Sequence, residues 1–166
     1  MKAKKLARLA LLTAVALIIF IIELQIPNII PIPGVKLGLA NIVTVYAVYK
    51  YSARETAAVV VTRVVLGSIF GGNIAAIMYS MAGAVMCLAG MLLIKRIVSM
   101  NFIWLSSILG AILHNTGQMI VAVLVMRSFA VLSVYPFLLA AGCIAGAFTG
   151  LCAQFLIKRG SLEKTD

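Results

Sequence analysis

The sequence is poor in almost everything that a water-soluble protein displays. Only 11% of its 166 residues are charged, against 64% that are hydrophobic, and the mean hydropathy is +1.17. A soluble domain is about 25% charged. So few charges cannot cover that much apolar surface in water, which excludes a soluble globular protein and a disordered chain. Acids are scarcest of all: Glu23, Glu55, Glu163 and the terminal Asp166. No two of them are placed for general acid–base work, and no aspartate-rich motif exists to hold magnesium and a diphosphate. Walker and redox-cofactor motifs are missing as well, so no cofactor is expected. The cysteines, Cys87, Cys143 and Cys152, sit inside apolar runs without zinc or redox spacing, and read as small packing residues rather than a disulfide scaffold. The single histidine has no Cys, Asp or Glu beside it, and a metal site is not expected.

What is present is a series of long apolar runs. They predict an all-α integral membrane bundle of six transmembrane helices, one domain over 1–166, with helices at about 6–24, 36–49, 55–70, 74–94, 102–126 and 134–157. The first run follows Lys2, Lys4 and Lys5 but is longer than a signal core and has no small-x-small cleavage site, so it reads as a retained helix. Three of the four prolines fall in 25–34, QIPNIIPIPG, which excludes a regular helix there. This loop is apolar, and its Ile29–Ile32 stretch is expected to fold over the membrane domain.

The net charge of +10 is not that of a nucleic-acid binder, because the bases come in small groups between apolar runs. They follow the positive-inside rule instead. With the N-terminus inside, 11 of the 14 bases lie in inside segments, so the chain is expected to be a multi-pass cell-membrane protein with both termini cytoplasmic. Arg127 falls at the outer interface. Lys36 and Arg63 are the exceptions that need a reason.

Arg63 sits in the middle of the third run, where a charge costs about 2.5–3.5 kcal/mol on insertion scales. It either anchors a carboxylate or phosphate, which a guanidinium grips in two places, or makes a structural ion pair with Glu23. Lys36, on the outer side, either attracts an entering anion or is an interfacial lysine. Asn41 is a buried amide that must find a partner, in a ligand or a neighbouring helix. His114 and Gln118 are four apart and share a face of the fifth helix, with Asn115 at its edge. Together they suggest a lined polar cavity, or else a polar seam between helices. Glu23 either pairs with Arg63 or Lys36 or adds to the pocket. Asn73 follows Gly71 and Gly72, and is a helix cap or a further ligand contact.

Small residues recur at helix-contact spacing. Gly142, Gly146 and Gly150 read as packing inside the bundle. Ala7, Ala10 and Ala14 on the first helix form a smooth stripe on which another membrane protein could dock. A small bundle with a cavity, a docking stripe and no energy-coupling motif suggests a substrate-binding subunit driven by a partner.

Three segments, KLGLANIVTVYAVY (36–49), TRVVLGSIFGGN (62–73) and HNTGQ (114–118), resemble the Gx transporter family, also labelled heptaprenyl diphosphate synthase component I. The resemblance runs from about Arg8 to Lys158. That family is similar to the S-components of energy-coupling factor (ECF) transporters, six-helix bundles that bind vitamins or related compounds near the outer face. The resemblance implies a lipid-embedded subunit that takes up a small, anionic organic molecule. It also implies docking, through an A-x-x-x-A stripe matched by Ala10 and Ala14, on a coupling protein attached to two ATPases. The synthase label implies instead a membrane subunit of isoprenoid-diphosphate or menaquinone biosynthesis. The missing aspartate-rich motif argues against catalysis by this chain. A scaffold in flavin-based extracellular electron transfer is a third reading.

Overall fold

The computed structural model describes residues 3–25, 38–72, 74 and 76–162, with the side chains of 161 and 162 excepted. These residues form six α-helices: α1 (Ala3–Gln25), α2 (Asn41–Lys50), α3 (Ala53–Phe70), α4 (Ala76–Ile94), α5 (Ile103–Met126) and α6 (Tyr135–Leu162). Short 3-10 turns, Met100–Phe102 and Phe129–Val134, lead into α5 and α6. No strand occurs among the described residues.

Four of the six helices, α1, α4, α5 and α6, are long and apolar enough to cross a membrane. The expected six helices are present, and these four carry the length and composition of a membrane span. The ten residues of α2 reach only about 15 Å at 1.5 Å per residue, half the thickness of a bilayer core. It begins at Asn41 and not near Lys36. Gly38 takes a left-handed backbone (φ +79) and a turn at residues 39–40 follows, so the helix cannot start earlier. The 18 residues of α3 include Arg54, Glu55 and Arg63, which lowers its apolar character. Its start is fixed by a capping box between Ser52 and Glu55.

Glycines set how closely the helices approach. α4 and α5 run antiparallel and nearly touch at Gly83 and Gly117, where a Cβ on Gly117 would lie 2.7 Å from the Ala82 carbonyl oxygen. α5 and α6 meet along Gly142, Gly146 and Gly150, which face Asn115, Ala111 with Ile108, and Ser107 with Trp104 in turn. Adjacent small residues let backbones come this close without stranding side chains. α1 and α3 are parallel. Lys5 pairs with Glu55 at one end, Leu9 and Val59 share a core cluster, and Phe20 lies against Gly67 at the other end.

α2 lies inside this frame, with seven of its ten residues buried. It packs on α6, α1, α3, α4 and α5. Its lower end is tied by the Lys95 ammonium, which donates to the Val48 carbonyl at 2.5 Å and stands 5.6 Å from the centre of the Tyr49 ring. The Tyr49 hydroxyl donates to Ser106 at 2.8 Å. Large apolar side chains such as Leu11, Ile18, Ile144, Phe148 and Phe155 point outward from the bundle. That is the inverse of a soluble fold and fits a lipid surrounding. The chain is a membrane protein.

Candidate functional site

A polar cavity of about 20 Å³ lies where α1, the turn before α2, α3, α4 and α5 converge. Its walls are Phe20 and Glu23 from α1, Gly38 from the turn, Arg63 and Val64 from α3, Ser80 from α4, and His114 and Gln118 from α5. This is room for about one water molecule.

Each wall has a local reason. Glu23 falls in the last turn of α1 and is buried; its Oε1 accepts the Gly38 N–H at 2.5 Å. That bond joins α1 to the entry of α2. His114 and Gln118 are one turn apart, so both point the same way from α5. The absence of a side chain at Gly83 allows α4 to press on them. A Cβ there would be 2.8 Å from the His114 carbonyl oxygen and 3.0 Å from Gln118 Cγ. Ser80 lies three residues earlier on the same face of α4.

Arg63 is only 6% exposed, and its Nε has no hydrogen-bond partner. The same is true of His114 Nδ1. Buried polar groups are nearly always hydrogen-bonded, so two such atoms on one cavity call for a partner from outside the chain, water or ligand. The cavity also holds charges of both signs, the Arg63 guanidinium and the Glu23 carboxylate. A guanidinium in this setting can clamp a carboxylate or phosphate through two parallel bonds. Among the described residues, no three His, Cys, Asp or Glu side chains come together as a metal site.

The structure thus gathers Glu23, Arg63, His114 and Gln118 around one cavity. Asn41 stands beside it. A Cβ on Gly38 would be 2.8 Å from Asn41 Nδ2 and 3.7 Å from His114 Cδ2, and Asn41 Oδ1 has no partner. Asn115 is elsewhere. Its Nδ2 donates to the Leu138 carbonyl at 2.8 Å and its side chain lies over Gly142, so it belongs to the α5–α6 seam. Lys36, Asn73 and the Ile29–Ile32 stretch lie outside the described residues. Ala7, Ala10 and Ala14 are all exposed on α1. Sequence reasoning missed Phe20, Gly38, Val64 and Ser80. Ser80 carried a usable signal, a hydroxyl three residues from a glycine inside an apolar run. Phe20 and Val64 look like any other core residue and carried none.

Comparison with known proteins adds one finding. A family model described as heptaprenyl diphosphate synthase component I matches residues 12–156. No curated protein and no solved structure matches the chain.

Proposed function

Starting from the fact that the chain belongs to the heptaprenyl diphosphate synthase component I family, we propose that it is the substrate-binding membrane subunit of an ECF-type transporter. It takes up a small anionic organic molecule with energy supplied by partner ATPases. The observation that carries this reading is Arg63, a buried guanidinium with an unpartnered Nε on a polar cavity. A charge kept inside a membrane at this cost marks a ligand path by default.

In this reading Arg63 binds the anionic group. His114, Gln118 and Asn41 orient the rest, and Glu23 balances the arginine while the site is empty. Lys36 and Asn73 complete the ligand set. A ligand larger than water enters only when the Glu23–Gly38 bond, which bridges two walls of the cavity, opens. α1, α4, α5 and α6 cross the bilayer core, and α3 and the shorter α2 lie within it, sheltered by them. Lys4, Lys5, Arg8, Lys50, Arg54, Lys95, Arg96, Lys158 and Arg159 share one end of the bundle, and that end faces the cytoplasm with both termini. The exposed Ala7, Ala10 and Ala14 form the face on which the coupling protein docks.

The second reading is a membrane subunit of isoprenoid-diphosphate or menaquinone biosynthesis. The matched description favours it, and "component I" implies a further component. One experiment separates the two. The tagged chain is purified from its own host in mild detergent, with Ala10→Trp as control, and its partners and bound small molecules are identified by mass spectrometry. Coupling protein and ATPases recovered with the native chain and lost with Ala10→Trp support transport. Prenyl-synthase subunits or a co-purified prenyl compound would overturn it in favour of the second reading.

A further inference from the structure

The end of the bundle that collects the bases carries a cleft of about 720 Å³ between the first turns of α1 and the α2–α3 corner. Lys4, Lys5 and Arg8 line it from α1, and Lys50 from the end of α2. Among the described residues Glu55 is its one acid, and Lys5 already pairs with it. Lys4 and Arg8 add two further positive charges to the cleft.

A second hollow, of about 550 Å³, begins where the cleft stops, and Glu55 lines both. It runs between α1 and α3, past Leu6, Leu9 and Ala10 on one side and Ala58 and Leu66 on the other. From Ala58 to Leu66 is about 12 Å along the helix axis. Leu6 is 57% exposed here, so the groove is open to the side from which lipid chains approach. None of its residues lines the cavity at Arg63.

A basic pocket at the end of membrane helices, with an apolar gutter leading away from it, has the form of one amphiphile. We propose that this site binds an anionic phospholipid of the surrounding bilayer. The phosphate lies against Lys4 and Arg8, and one acyl chain follows the α1–α3 groove. The chain passes over Ala10, so a helix docking on that face displaces the lipid.

The test uses the full chain in nanodiscs of phosphatidylcholine containing phosphatidylglycerol, released intact into a mass spectrometer. One phosphatidylglycerol per chain, held in preference to phosphatidylcholine, is the expected result. The double substitution K4Q/R8Q should lower its retention about 25-fold, at about fivefold for each base removed. A10W, which fills the groove, should lower it too. K158Q/R159Q removes two bases from the same end but outside the cleft, and should change nothing. Equal losses from the two charge pairs would mean diffuse attraction and overturn the proposal, as would equal retention of phosphatidylcholine. Displacement by soluble glycerol phosphate, with A10W silent, would overturn it in favour of a water-soluble phosphate.

Discussion

At the scale of single residues, Arg63 and Asn115 should separate cleanly. Both are polar groups buried within the bundle, yet one faces the cavity and the other the α5–α6 seam. Arg63→Ala should weaken binding of the co-purified molecule about 10–100-fold, the worth of one charge-assisted hydrogen bond. The measurement is isothermal titration in detergent, with a thermal melt to show that the variant folds; unchanged affinity would remove Arg63 from the site. Asn115→Ala should leave affinity alone and cost about 1 kcal/mol of stability, the scale of a hydrogen bond between membrane helices. If Asn115→Ala abolished binding instead, the seam would not be separate from the site. The sequence made His114 and Gln118 legible as a pair because helical spacing alone puts them on one face. It could not tell which way Asn115 turned. One residue further round the helix points at a different neighbour, and that neighbour, Gly142, is set by the packing of α6. Ser80 and Gly38 escaped for a similar reason, since each reaches the cavity only through the approach of α4 or the turn before α2.

Among the helices, the close crossings rest on glycines that have no room to spare. Gly117→Leu should lower stability by more than the 1–3 kcal/mol of ordinary overpacking, because its Cβ would meet the backbone of Ala82 and Gly83, which cannot swing aside. Gly160→Ala is the counterpart. Nothing lies within 4 Å of a Cβ there, so the change should stabilise α6 by about 0.5–1 kcal/mol through helix propensity. Thermal unfolding of the two variants in one detergent checks both, and similar effects would show that the glycine at the α4–α5 crossing is not tightly held. The glycine spacing on α6 was readable as a contact stripe, since small residues four apart permit close approach whatever the partner. The start of α2 was not. Its sequence is continuously apolar from Leu39 through Tyr49 save for Asn41 and Thr44, and only the left-handed backbone at Gly38 shows where the helix begins.

For the molecule as a whole, the gathering of basic residues at one end predicts a topology. Reporters that work only in the cytoplasm should be active when fused to either terminus, and inactive when inserted at Arg127 in the α5–α6 connection. Activity at the connection would reverse the orientation. A membrane bundle was legible from composition, because apolar content of this size has no other stable setting. The roles of the two weak helices were not, since they depend on what encloses them. That enclosure bears on how the protein is made. Arg63 is walled by residues of α1, which precede it in the chain, and by Ser80, His114 and Gln118, which follow. When α3 emerges from the ribosome, half of the arginine's shelter has yet to follow it. The cost of placing that charge in hydrocarbon is about 2.5–3.5 kcal/mol, and it is offset only after α4 and α5 arrive. Biogenesis is then non-sequential: α3 waits at the membrane face and is drawn in by later helices. A released fragment ending at residue 72 should expose a cysteine placed at Val61 to a water-soluble maleimide, and one ending at residue 126, with Cys87 replaced by Ser, should protect it.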